Sequence, residues 1–368
     1  MKTLYSKLIA CAGILALGAT ALFTVPAQAI DFSGKTVRII VPFKESGGAS
    51  RYARLWQNFL KQELPGNPTI LVIYKPGGSG IKGANWFQKN AKPDGLTLVA
   101  SSTSMSTSYL FGGKKAKYKL LTWRPIIMSP LGTQFYARTE LGVKGKNIAD
   151  DIRALQKATI ITGAKNPTSS ELRGAVAYDL LGIKKTTFVF GLNSGGRRKA
   201  VLRGELNISY DSAGSFMSKT MRYIKKGVVA HYMNLGYVNA KGELVRDPAF
   251  PNTPTILDAY KAVNGGKMPS GPQWEAMKNL INIGVMYSKA LILPAGTSDE
   301  IVDLYIKTVK KIMKNKKFKK MAKKELGNYP QSFGKEAAAI LKGAVDIKPS
   351  TRAWIGKFLK KQYNFDMI

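Results

Sequence analysis

Residues 37–54 read VRIIVPFKESGGASRYAR. Val37 to Val41 is a short, mostly apolar run that predicts a strand, and Pro42 ends it. Lys44 to Ser50 is a polar, glycine-bearing loop. Beyond it, Tyr52, Leu55, Trp56, Phe59 and Leu60 fall on one helical stripe, until Pro65-Gly66-Asn67-Pro68 stops the helix. The pattern then repeats. Ile70–Ile73 reads as a strand, Lys75–Gly80 as a turn, Ala84, Phe87 and Gln88 as part of a helix, and Leu96–Ala100 as a third strand after Pro93-Asp94-Gly95. Strand, loop and helix in succession predict the opening of a parallel α/β sheet.

The middle of the chain has the same alternation. Strands are expected at Ile126–Ser129, Gln134–Ala137, Thr159–Thr162, Thr187–Phe190, Leu206–Tyr210 and Val228–Met233. Helices are expected at Ile148–Leu155, Ser169–Leu181, Arg197–Leu202 and Met221–Lys225, and again at Gly334–Ala344. Phe250–Thr255, stiffened by Pro248, Pro251 and Pro254, reads as a fixed loop. Thr297 and Glu300 have capping-box spacing ahead of a helix whose stripe runs from Ile301 to Met313. Two α/β units of this kind predict two lobes with a cleft. Open parallel sheets bind ligands past the carboxyl ends of their strands. That rule selects four loops: 44–50, 75–80, 101–104 and 163–170.

Composition limits the chemistry. The chain has 368 residues, one Cys, one His, and 57 Lys+Arg against 22 Asp+Glu, for a net charge of +35. One cysteine and one histidine exclude disulfide scaffolds, multi-thiolate zinc sites and H-E-x-x-H chemistry. Lys2 and Lys7, the apolar run Leu8–Val25 and the small-x-small site Ala27-Gln28-Ala29 read as an export signal over residues 1–29, cleaved after Ala29. Cys11 lies too early in the apolar run for lipid attachment. The mature chain then holds 55 basic and 22 acidic residues. The basic residues are spread along the chain, densest at Lys310–Lys324, and no zinc-finger, RNP-like or basic-zipper pattern accompanies them. A solvated lysine-rich surface is expected, with no nucleic acid as partner.

The loops suggest anion binding. Gly47, Gly48, Ala49 and Ser50 stand between a strand and a helix start, where free N–H groups and the helix dipole favour an anion. Ser101, Ser102 and the Thr168-Ser169-Ser170 run add hydroxyls after other strands, so a carboxylate is expected to be held neutrally, without a fixed cation. Lys165 and Arg197 are the charged candidates within the cleft. Neither G-x-x-x-x-G-K-[ST] nor G-x-S-x-G occurs, and His231 lies in an apolar strand. No catalysis and no cofactor are expected. A secreted adhesive protein and a hydrolase on the same fold are the alternatives.

Six landmarks carry a family resemblance: 37–54, KPGGSGIKGA at 75–84, AKPDGLTLV at 91–99, LRGELNISYDS at 202–212, PNTPT at 251–255 and LPAGTSDEIV at 293–302. In this order the chain resembles the solute receptors of tripartite tricarboxylate transporters, of the TctC or Bug type. The resemblance implies a type II periplasmic-binding-protein-like α/β fold. One lobe would hold residues 30–128 and 251–368, the other 129–250. It also implies a monomer in the periplasm that closes on a small carboxylate and passes it to a permease with a large and a small membrane subunit. Carried over by position, the ligand-binding residues are Gly47, Gly48, Ala49, Ser50, Gly78, Ser101, Ser102, Lys165, Asn166, Thr168, Ser169 and Asp211. Ser50 stands where many members carry aspartate, which points away from amino-acid ligands. Residues 256–290 and 350–368 exceed the family's core, with Trp274 and Tyr287 as packing or cleft-rim residues.

Overall fold

The computed structural model describes residues 30–239 and 241–367. The export signal of residues 1–29 lies outside them. Among the described residues no helix is long and apolar enough to cross a membrane.

Six strands form the main sheet: β1 (Thr36–Val41), β2 (Thr69–Tyr74), β3 (Thr97–Ala100), β4 (Arg124–Ser129), β12 (Lys289–Leu293) and β13 (Ser332–Phe333), in the order β13-β4-β12-β3-β1-β2. β1 is parallel to both β2 and β3, as strand–helix–strand succession requires. Its Val37, Ile39, Ile40 and Val41 are fully buried, because neighbouring strands and covering helices leave neither face to water. The Gly48–Glu63 helix follows β1 and buries the whole expected stripe, Tyr52, Leu55, Trp56, Phe59 and Leu60. Trp56 meets Phe318 with ring centroids 4.7 Å apart.

The chain leaves this sheet after Ser129 and returns to it at Lys289. Between them lie β5 (Thr133–Arg138), β6 (Ile160–Gly163), β7 (Thr186–Val189), β8 (Ile208–Ser212), β9 (Val229–Asn234), β10 (Tyr237–Val238) and β11 (Leu244–Val245). They form a three-stranded sheet β8-β5-β9, a parallel pair β6-β7 and a short hairpin β10-β11. A second core, with Phe135, Ile152, Val176 and Tyr232, fills this region. Helices Ile256–Val263, Gly271–Ile281 and Pro349–Tyr363 share that core through Ile256, Trp274, Met277 and Leu359. Trp274 and Tyr287 are both buried packing residues, in the second and the main core respectively.

Every strand expected from the sequence is present to within two residues at each end. β12, which sits in the middle of the main sheet and runs antiparallel to β3 and β4, was not expected. The capping-box reading of Thr297 and Glu300 is corrected. Ser298 is the N-cap and accepts from the Ile301 N–H, while the Thr297 hydroxyl donates to the Pro294 carbonyl. Residues 103–111, left outside any expected helix, form one.

Candidate functional site

A cavity of about 430 Å³ opens where the strand-end loops meet. It is lined from the main sheet by residues 42–44, 46–49 and 51 after β1, Pro76–Gly80 after β2, and Ser102–Ser104 after β3. From the other side come Lys165, Asn166 and Ser170 after β6, and Gly191 and Asn193–Gly195 after β7. The carboxyl ends of parallel strands thus supply most of the wall.

Three helices begin at this wall. Gly47 caps the first without any side-chain bond. The N–H groups of Gly48, Ala49 and Ser50 have no acceptor among the described residues, while Arg51 N–H already reaches the Gly47 carbonyl. The Thr103–Phe111 helix starts at Ser102, also with no side-chain cap. The Ser194–Arg203 helix is capped by Asn193, whose side chain accepts only from Gly196 N–H, leaving Ser194 and Gly195 N–H free. Partial positive charge from three helix starts therefore converges on one space.

Glycine has a steric role in the β2 loop. A Cβ on Gly83, in the first turn of the Ile81–Asn90 helix that follows this loop, would stand 2.7 Å from both the Lys75 carbonyl oxygen and Pro42 Cα, so only glycine lets the helix start and the turn before it lie against the end of β1. Gly78, at φ +54°, lines the cavity from the same turn.

The charged lining corrects the expectation of neutral binding. Lys44, Arg51, Lys165, Arg173, Arg198 and Lys289 all line the cavity, and among the described residues no carboxylate does. Three of them have carboxylate partners behind the wall. Arg51 Nε pairs with Glu325 at 3.0 Å, Lys165 Nζ with Glu171 at 2.7 Å, and Arg198 with both oxygens of Asp211 at 2.7 and 2.8 Å. Glu171 also receives Arg197, Ser169 and Ser170. Burial pushes the Glu171 carboxyl up, but the charges of Arg197 and Lys165 outweigh it and hold it well below the usual carboxylate range.

Among the described residues Lys44, Arg173 and Lys289 have no carboxylate partner, and of these Lys44 is exposed to solvent. Arg173 is 6% exposed; it donates to the Gly284 carbonyl at 2.6 Å and lies over the Tyr210 ring at 4.7 Å. Its Nε is buried with no acceptor. Lys289 Nζ reaches only the Ser288 carbonyl, at 3.1 Å. Burial pushes its ammonium down to about 7, reinforced by Arg173, Arg51 and Lys165 and opposed by Glu325.

Of the residues expected in the site, Gly47, Gly48, Ala49, Gly78, Ser102, Lys165 and Asn166 line the cavity. Ser50, Ser101, Thr168, Ser169 and Asp211 lie behind it. Ser50 donates to the Tyr74 hydroxyl at 3.0 Å, and Ser101 is fully buried. The Thr168 hydroxyl points to Asn166 Oδ1, and the Ser169 hydroxyl, whose proton goes to Glu171, accepts from the Asn166 N–H at 3.3 Å. Asp211 is enclosed by Arg198, Thr220 and Tyr136. Arg197 is likewise buried behind the wall, against Glu171. The sequence reading missed Asn193–Gly195, Arg51, Arg173, Arg198 and Lys289. An asparagine-led glycine turn after a strand was a usable signal for the first. Arg51 and Arg198 sit in the first turns of the helices that follow such loops. Nothing local marks Arg173 or Lys289.

No protein-family model and no curated protein matches this chain. Solved structures do. The chain is similar to the periplasmic binding protein BugD, at 21% identity and TM-score 0.62, over 89% of this chain and 97% of that one. It is similar to MatC from Rhodopseudomonas palustris with bound malate, at 18% identity and TM-score 0.61, over 87% and 97%. It is also similar to an R. palustris protein with adipate, at 16% identity and TM-score 0.62, over 89% and 96%. The likeness is one of fold: the chain has the mixed α/β, two-lobed architecture of periplasmic binding proteins.

Proposed function

We propose that this chain is an exported solute receptor that binds a small organic acid in the cavity reversibly and without turnover. The observation that carries this reading is the convergence of three helix starts and six cationic side chains on a space with no carboxylate from the described residues in its lining. Such a space favours an anion and leaves an amino group without an acceptor of opposite charge. The malate and adipate held by two proteins of the same fold agree with a carboxylate as ligand.

In this reading residues 1–29 are removed on export and the mature chain works in the periplasm. Residues 30–128 and 251–368 form one lobe and 129–250 the other, and the two close over the ligand. Ser50, Ser101, Thr168, Ser169 and Asp211 shape the loops whose backbone and cations touch the acid. The loaded receptor then meets the large and small membrane subunits of a tripartite tricarboxylate-type permease.

A thermal-shift screen of mono-, di- and tricarboxylates, aromatic acids, sugars and amino acids tests the reading. Organic acids are expected to raise the melting temperature by mass action, and each should be recovered unchanged. Stabilisation by cationic or neutral compounds alone would contradict it, as would release of a product.

A further inference from the structure

We propose that Arg173 and Lys289 select solutes by charge, so that the cavity takes a dianionic organic acid in preference to its monoanionic counterpart. The inference rests on the receptor reading above and adds the ligand's charge to it.

Six buried or half-buried cations cluster at and behind the cavity wall: Arg51, Lys165, Arg173, Arg197, Arg198 and Lys289. Against them stand three carboxylates, Glu171, Asp211 and Glu325, each already engaged with one or two of the cations. Arg173 and Lys289 are the two that remain, apart from Lys44, which lines the cavity but is exposed to water. They come from different parts of the fold, Arg173 from the Leu172–Leu180 helix and Lys289 from β12 of the main sheet, and both line the same cavity. Arg173 is also the cation with the strongest repulsive effect on the Lys289 ammonium, ahead of Arg51 and Lys165.

Two cations without carboxylate partners in one cavity, Arg173 buried and Lys289 half-buried, are costly, and the cost is relieved by negative charge placed in that cavity. A monocarboxylate brings one such charge. It can settle on either cation while the other stays unpaired, so with Lys289 gone Arg173 still receives it. A second acidic group on the same molecule answers both cations at once. Arg173 is held in place without a solute by the Gly284 carbonyl and the Tyr210 ring, so it need not be reoriented for binding.

The test is titration calorimetry of the mature chain at pH 7 with glutarate against valerate and succinate against butyrate. Each pair matches chain length and differs in one carboxylate. The wild type is expected to favour each diacid by about tenfold to a hundredfold, the range for one hydrogen-bonded charge contact. Lys289→Met, which keeps the stem and removes the charge, should lower diacid affinity about tenfold or more and leave the monoacid nearly unchanged, while Lys289→Arg keeps the preference. Arg173 also ties down Gly284, so the Lys289 variants decide. Equal losses for diacid and monoacid, or no preference in the wild type, would overturn the charge selection and leave the receptor reading standing. Failure of all four acids and of the wider acid screen would overturn both.

Discussion

Arg51 donates from Nε to both carboxylate oxygens of Glu325, at 3.0 and 3.1 Å, across 274 residues of sequence. Its Nη2 reaches the Ser215 hydroxyl at 2.7 Å. One guanidinium in the first turn of the first long helix thus ties the C-terminal helices to the turn that follows β8, at the cavity wall.

Glu325→Gln keeps the shape of this contact and removes the charge that partly neutralises Arg51. The pair is about a quarter exposed on each side, so its loss should cost roughly 1 kcal/mol of stability or less. Affinity for an organic acid should rise a few-fold, and the gain should shrink as salt is added. Calorimetry at two ionic strengths, with melting of the empty protein, reads both effects. A loss of affinity would mean that Glu325 fixes Arg51 for binding rather than competing with the acid for it.

The free N–H of Gly48 can be removed with little disturbance. Gly48 is the first helical residue, where proline is tolerated, and Gly47 is already extended at φ −83° and ψ 170°. A Cβ there meets Lys289 and Arg51 only at ordinary contact distance, 3.7 and 3.8 Å. Gly48→Pro should melt at or above the wild-type temperature, because the unfolded chain loses freedom. Its affinity for an acid should fall about tenfold, while Gly48→Ala, which keeps the N–H, should bind normally. Equal affinity in the two variants would remove this helix start from the site.

Lys289 gives affinity a pH dependence of definite sign. In the empty cavity its ammonium is pushed down to about 7. A bound anion favours the charged form and raises that value. Below about 7 the amine is protonated with or without ligand, and affinity is level. Above it, binding must take up a proton, so affinity falls by up to about tenfold per pH unit until the raised value is passed. The empty protein behaves oppositely. An unfolded lysine titrates near 10.4, so between about 7 and 10 this group adds stability as pH rises. Glutarate titrations from pH 6.5 to 9, with matched melting curves, separate the trends, and Lys289→Met should flatten the affinity profile.

Gly132 occupies the turn through which the chain leaves the main sheet. A Cβ there would collide with the Asp247 carboxylate and the Tyr329 hydroxyl. Asp247 accepts from Tyr329 at 2.6 Å and from Gln134 at 2.8 Å, joining β5, the segment after β11 and the approach to β13. Gly132→Ala should destabilise by about 1–3 kcal/mol, as overpacking of a filled site does. Urea unfolding measures it, and a neutral effect would show that this junction is slack.

The legible part of the fold was the part with local grammar. β1 and the Gly48–Glu63 helix announce themselves through five consecutive apolar-rich positions, a glycine loop and a clean helical stripe. β12 does not. Its residues Lys-Ala-Leu-Ile-Leu follow a largely apolar stretch, 280–287, that belongs to a helix and its continuation, and the two polar residues at the junction, Ser288 and Lys289, come with no Gly or Pro to mark a new element. The site divides the same way. Gly47–Ala49 and Ser102 could be placed because ligands gather at strand ends. Arg173 sits in the middle of an expected helix, and Lys289 begins the unexpected strand. Their common cavity is a product of tertiary packing, and with them the cationic character of the site was hidden.

The most direct measurement is titration calorimetry of the mature chain at pH 7 with the unbranched dicarboxylates of three to seven carbons. Saturation at one acid per chain, with the acid recovered intact and the binding abolished or strongly weakened in a Gly48→Pro, Lys289→Met double variant that melts like the wild type, is the expected result. No saturable binding of any acid in the series, or binding that the double variant leaves untouched, would contradict the assignment of this cavity as the receptor site of an organic anion.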